Sequence, residues 1–130
     1  MRIVIAGLGA AGLAAIMAAR RAGPDAKILV IDDKDFDMLH PCGLPFAVQG
    51  DVDPPDRLEA GLQLERMRVD LLRPYCVAHI DPVRRIITSA APDTEQEISG
   101  PYDALILCTG SRPVVPSGIH GLARLMVLGG

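Results

Sequence analysis

The sequence has no tryptophan and only two tyrosines and two phenylalanines in 130 residues. A core built from it must be aliphatic, which suits a sheet covered on both faces whose strands read as solid apolar runs. Cysteine is scarce too. Cys42, Cys76 and Cys108 form an odd, widely spaced set with no C-x-x-C pair, which argues against a disulfide scaffold and against a zinc site. Formal net charge is −3 and the basic residues are dispersed, so neither a nucleic-acid groove nor a polybasic membrane anchor is indicated. Past Ala19 no apolar run approaches membrane length. Repeats and low-complexity segments are missing as well. These absences describe a cytoplasmic chain with free thiols, and its length fits one domain, residues 1–130.

What is present is concentrated in Arg2 to Asp33. An apolar run, Ile3-Val4-Ile5-Ala6, leads into Gly7-Leu8-Gly9-Ala10-Ala11-Gly12, a G-x-G-x-x-G. A small-residue helix is predicted from Ala11 to about Arg21, with Leu13, Ile16 and Met17 inward, Arg20 and Arg21 at its C-terminal dipole, and Gly23-Pro24 as the stop. A second apolar run, Ile28 to Ile31, ends in Asp32, twenty residues after Gly12. The pattern has a mechanical meaning. Gly7 permits a tight turn, Gly9 removes a Cβ where a pyrophosphate approaches, and Gly12 lets the helix lie close. Helix N–H groups face the phosphates, and Asp32 can accept ribose hydroxyls. The stretch Ile3 to Ala19 is also apolar enough to imitate a leader peptide or a spanning helix. It is too long for the first, and three glycines interrupt it as the second.

The acidic run Asp32-Asp33-Lys34-Asp35-Phe36-Asp37 fails as an EF-hand, because Met38 and Leu44 fall where Gly and Glu are required. It reads as a solvated loop with Asp32 and Asp33 toward a nucleotide, and no metal ligand set is assigned. His40-Pro41-Cys42-Gly43-Leu44-Pro45-Phe46 reads as a loop turning into a short helix at Cys42 that runs to Gln49-Gly50. A thiol at a helix start is favoured as thiolate, although a lone cysteine is commonly a buried structural residue. His40 is either a proton source beside it or a surface histidine. Arg57 to Arg68 carries leucines at helical spacing and predicts a helix; Val69 to Leu72 predicts a third parallel strand. Strand patterns at about 76–80, 85–89 and 96–99 predict a small antiparallel β-meander inserted at about 74–100. Tyr102 to Cys108 returns to the parallel sheet and ends in a small-residue turn, Thr109-Gly110-Ser111-Arg112-Pro113. The fold class is α/β: a Rossmann-like parallel sheet with helices on its faces and an inserted meander.

Three separated motifs, the opening G-x-G-x-x-G, Pro-Cys-Gly-Leu-Pro-Phe at 41–46 and Tyr-Asp-Ala-Leu-Ile-Leu-Cys-Thr-Gly-Ser-Arg-Pro at 102–113, resemble the FAD-dependent pyridine nucleotide-disulfide oxidoreductases. The similar branch is that of coenzyme A disulfide reductase and the NADH oxidase/peroxidase group. The resemblance implies that Gly7, Gly9, Ala11 and Gly12 hold the FAD pyrophosphate. It puts Asp32 on the adenosine ribose, with Asp33 and Lys34 beside the adenosine and the Val77 backbone at the adenine. Thr109, Gly110 and Arg112 flank the flavin from the second turn, and Pro41 and Cys42 lie by the ring, with Cys42 as the redox thiol. The dithiol members' second cysteine corresponds to Ala47, so a mixed disulfide or a sulfenic acid is the implied oxidised form. Cys108 stands where alanine is usual and reads as a small hydrophobe. The implied reaction passes a hydride from NAD(P)H through FAD to a small acceptor: coenzyme A disulfide, peroxide or oxygen. Members of the family continue into NAD(P)H-binding and dimerisation domains and work as homodimers, so the chain corresponds to their N-terminal FAD-binding portion. The competing reading is a free-standing dinucleotide-binding regulatory module without catalysis; it requires neither the 41–46 segment nor the 109–113 turn.

Overall fold

A computed structural model of the chain describes residues 1–38, 40–51, 58–92 and 94–111. Strand β1 (Arg2–Ala6) is followed by helix α1 (Ala10–Ala22) and strand β2 (Lys27–Ile31). A 3₁₀ turn at Pro41–Gly43 leads into α2 (Leu44–Gln49), and β3 spans Val69–Leu72. Strands β4 (Cys76–Asp81), β5 (Ile86–Ala90) and β6 (Glu97–Pro101) precede β7 (Ala104–Leu107). The first sheet is fully parallel in the order β3-β2-β1-β7, and β4-β5-β6 form a separate antiparallel sheet. The expected fold class and the inserted meander are both present.

Because side chains alternate along a strand, each solid apolar run serves two cores. Ile3 and Ile5, Ile28 and Val30, Val69 and Leu71, and Ala104 and Ile106 face one cluster, in which Ile16 and Ala19 of α1 are buried. Val4, Leu29, Ile31, Leu72 and Leu105 face the other, which is closed by Ile87, Tyr102, Val77 and Ile80. One face of the parallel sheet is therefore covered by α1 and the opposite face by the meander, so the insertion supplies the third layer. The expected inward set of α1 needs amendment. Ile16 is buried with Gly12 and Ala19, whereas Met17 is 45% exposed.

The helix expected over Arg57 to Arg68 does not form. Arg57 lies outside the described residues. From Leu58 onward the chain is tied to the preceding loop, with the His40 N–H donating to Leu58 O and the Ala60 N–H to Met38 O. It then closes three consecutive tight turns, with the N–H groups of Arg66, Met67 and Arg68 donating to Gln63, Leu64 and Glu65. The backbone groups that a helix would have used internally are committed to these partners, and Arg68 ends the turns at φ 54°.

Arg20 does more than complement a helix dipole. Its Nε donates to Met67 O (3.1 Å), Nη1 to Pro24 O (2.7 Å) and Ala26 O (2.8 Å), and Nη2 to Arg68 O (2.8 Å). One guanidinium thus ties the end of α1, the start of β2 and the turn before β3. Charge-assisted hydrogen bonds are worth about 1.5–3 kcal/mol each against an unmade partner, partly recovered by water where the site is open. Arg20→Met is expected to lower stability by about 2–3 kcal/mol in urea denaturation, with Arg20→Lys recovering part of the loss. A change within about 0.5 kcal/mol would rank it with ordinary surface substitutions and contradict the assignment.

Candidate functional site

The chain runs outward from β1 through β2 to β3 and returns on the other side of β1 as β7, so the order reverses between β1 and β7. Ligands of open α/β sheets sit outside the carboxyl ends of the strands at such a reversal. The two small-residue turns lie there. Gly7 follows β1 at φ +102°, and a Cβ on it would collide with the Cys108 carbonyl oxygen after β7. The Cys108 N–H donates to Ala6 O at 2.7 Å, holding the turns in register. A Cβ on Gly12 would collide with the Gly7 carbonyl oxygen, so the first turn of α1 rests directly on the loop. Gly12 therefore serves the approach of helix to turn rather than of helix to sheet. A Cβ on Gly9 would meet nothing within 4 Å: the space before the helix N-terminus is open.

Asp32 is the buried member of the site, 2% exposed at the end of β2. Its N–H donates to Leu72 O (3.1 Å) and its carbonyl accepts from the Tyr75 N–H (2.9 Å), fixing its backbone against the end of β3. Oδ1 accepts from the Leu8 N–H inside the glycine turn (2.9 Å) and from Lys34 Nζ (2.8 Å). Oδ2 is buried and has no hydrogen-bond partner among the described residues. A buried carboxylate oxygen left unpaired costs about 1–3 kcal/mol, and a hydroxyl donor would relieve it. As an acceptor with one oxygen engaged by the loop and the other unpaired, the carboxylate fits a ribose hydroxyl. Lys34 also reaches Asp33 Oδ1 at 3.5 Å, and Asp33 is exposed.

The remaining expected residues are spread over neighbouring elements. Ala11 is exposed in the first turn of α1. Val77 lies in β4, where it pairs with Ser89; the register then shifts so that His79 pairs with Thr88, and Ala78 has no partner. Such a bulge disrupts the ladder locally and leaves the extra residue unpaired. Thr109 and Gly110 are exposed beyond β7, and Arg112 lies outside the described residues. Pro41, Cys42 and Gly43 form the 3₁₀ turn, and Gly43 is the N-cap of α2. Cys42 thus precedes the helix instead of opening it, and it is a free, exposed thiol. His40 is exposed. Cys108 is half-buried against the aliphatic core, as a small hydrophobe would be. No helix among the described residues is long and apolar enough to cross a membrane. Sequence reasoning missed Asp37 and Arg73, whose ion pair at 3.1 Å pins the loop leading to Cys42.

The chain is 30% identical to an NADH oxidase of Lactococcus lactis subsp. cremoris over 94% of its own length and 29% of that protein's. Among solved structures, the NAD-dependent persulfide reductase of A. fulgidus superposes with a TM-score of 0.82 at 32% identity, covering 95% of this chain and 24% of that one. The water-forming NADH oxidase of Lactobacillus brevis bound to NADH superposes with a TM-score of 0.81 at 26% identity, covering 89% and 26%. The chain spans between a quarter and a third of the length of the curated relatives it matches. Residues 1–129 match the family description as a single stretch, which places the glycine turn, the Cys42 loop and the Thr109-Gly110 turn inside it, and the chain belongs to the pyridine nucleotide-disulphide oxidoreductases.

Proposed function

We propose that this chain binds FAD at the reversal between β1 and β7 and that, in the complete enzyme, Cys42 relays electrons to a small-molecule acceptor. The observation that carries the reading is the buried Asp32 carboxylate, bonded through Oδ1 to the Leu8 N–H of the glycine turn and left without a partner at Oδ2. Gly7, Gly9, Ala11 and Gly12 with the first N–H groups of α1 would receive the pyrophosphate. Asp32 would take the ribose hydroxyls, Asp33 and Lys34 would border the adenosine, and the backbone at Val77 would meet the adenine. Thr109, Gly110 and Arg112 would close over the flavin side, with Pro41 and Cys42 by the ring. FAD, when bound, supplies the two-electron relay between a nicotinamide hydride donor, NADH or NADPH, and sulfur.

Cys42 is the group that reacts. Two electrons and two protons cleave the S–S bond of its mixed disulfide, giving the Cys42 thiol and releasing the small thiol. A sulfenic acid at Cys42 is reduced with the same two electrons and two protons, releasing water. Position 47 is alanine, so no second thiol competes from that site. The acceptor class is therefore a soluble disulfide or persulfide such as that of coenzyme A, a peroxide, or oxygen. The names of two similar proteins, an NADH oxidase and an NAD-dependent persulfide reductase, support oxygen and persulfide within that class. The complete enzyme is read as a cytoplasmic homodimer.

Gly9→Ala is expected to cost less than about 1 kcal/mol of stability, the range for an N-cap glycine replaced by alanine, yet to weaken FAD binding about tenfold, near 1.4 kcal/mol. Flavin fluorescence titration and urea denaturation on the same protein check both halves. Equal FAD affinity in Gly9→Ala would displace the pyrophosphate from this loop.

Asp32→Asn keeps an acceptor for the Leu8 N–H but removes the charge. FAD affinity is expected to fall about tenfold or more, and a flavin-free preparation of the complete wild-type enzyme would remove the cofactor assignment altogether.

Cys42→Ser is expected to retain bound flavin and lose NAD(P)H-dependent disulfide reduction to background in a thiol-release assay. Retained turnover would take the redox role away from Cys42.

A further inference from the structure

Between Asp32 and the 3₁₀ turn at Pro41–Gly43 the described residues form neither helix nor strand, yet the segment is held at several points. Asp37 spends both carboxylate oxygens on distant partners: Oδ1 accepts from Arg73 Nη2 at 3.1 Å and Oδ2 from the Leu62 N–H at 3.0 Å. Two backbone hydrogen bonds follow at once, Ala60 N–H to Met38 O (2.7 Å) and His40 N–H to Leu58 O (2.9 Å). The Gly43 N–H then donates to His40 O (2.9 Å), closing the turn that contains Cys42. Gly43 itself lies against Leu58 so closely that a Cβ would collide with Leu58 Cδ2.

Arg73 is the residue directly after β3, and the end of β3 is where the Asp32 backbone is clamped between Leu72 and Tyr75. A closed ring results: Asp32 backbone, end of β3, Arg73 guanidinium, Asp37 carboxylate, and back along the chain to Asp32. The pair is partly buried, with 27% of the Arg73 side chain and 20% of the Asp37 side chain exposed. Arg73 Nη1 is buried without a hydrogen-bond partner among the described residues. A freely solvated surface pair would keep that donor in water, so the guanidinium is held where Asp37 requires it.

We propose that the Asp37–Arg73 pair is a positioning latch for Cys42, tying the turn that presents the thiol to the seat of Asp32. Neither residue touches the reacting sulfur; both act through the 38–43 segment. The inference rests on the reading of Cys42 as the redox thiol, and it adds a coupling between the nucleotide end and the thiol end of the site. Asp37 and Arg73 are expected to matter more to where the thiol stands than to whether the sheet folds.

The test compares wild type with Asp37→Ala, Arg73→Met and Arg73→Lys. Amide hydrogen exchange at His40, Gly43, Ala60 and Leu62 is expected to lose at least tenfold protection in Asp37→Ala and Arg73→Met, with the β1 and β2 amides unchanged. The iodoacetamide alkylation rate of Cys42, taken as a ratio to that of the exposed Cys76 in the same molecule, is expected to shift threefold or more in these variants. Arg73→Lys, which restores the charge, is expected to move the ratio back toward wild type. An unchanged Cys42/Cys76 ratio overturns the proposal even if local protection falls, and so does a loss of protection spread evenly through β1 and β2. Disulfide turnover retained by Cys42→Ser would instead sink the redox reading, and the exchange and alkylation ratios would still decide the latch.

Discussion

The site depends on a carboxylate that the fold has buried and only half satisfied. Removing a charged carboxylate from water carries a penalty of several kcal/mol, offset here by Lys34 and the Leu8 N–H on a single oxygen. Because the Leu8 N–H belongs to the glycine turn, the same bond also fixes the loop relative to β2. Gly7 and Gly12 then leave no freedom on the other side, each being in contact with a carbonyl oxygen that a side chain would displace. On the proposed reading, a turn packed this way before any ligand arrives could bind a diphosphate through backbone N–H groups without a large ordering cost. The unpaired Oδ2 is the part of that arrangement the protein does not complete for itself.

The parallel sheet can hold this geometry because both its faces are covered by different means. Helix α1 must approach closely, and the small residues Ala15 and Ala19 on that face allow it. The opposite face takes the meander, whose Ile80 and Ile87 and the adjoining Tyr102 fill the space over Val4 and Ile31. The return strand β7 is less enclosed: Leu107 is 59% exposed at its end.

The elements that could be read from the sequence are those whose signal is local. Each parallel strand is a solid apolar run, and the fingerprint spacing between Gly12 and Asp32 is set by one helix and one strand. The meander announced itself by a change of period after Pro74. The misreadings arise where a distant partner decides the outcome. Leu58 and Leu62 have helical spacing, but the carbonyl of Leu58 and the N–H of Leu62 are taken by His40 and Asp37. Asp37 looked like one more charge in a solvated acidic loop, and nothing near it in the chain reveals an arginine 36 residues on. Arg20 was legible as a dipole complement, whereas the four carbonyls it gathers come from two segments, one of them more than forty residues on, and could not be.

The same distinction bears on the thiol. A dithiol centre contains its own oxidised partner, so its chemistry is intramolecular and tolerates burial. On the proposed reading, with alanine at position 47, oxidised Cys42 takes its second sulfur or its oxygen from a small molecule, and the sulfur has to be reachable. Cys42 is exposed in a 3₁₀ turn ahead of α2, as that chemistry requires. Exposure alone, however, leaves a thiol free to sample many positions, and electron transfer from a bound ring demands only one. A short segment without regular structure can satisfy both conditions only if it is tied down by side chains. On the proposed reading, the ties at Asp37, Met38 and His40 supply the fixed position that the surrounding secondary structure does not.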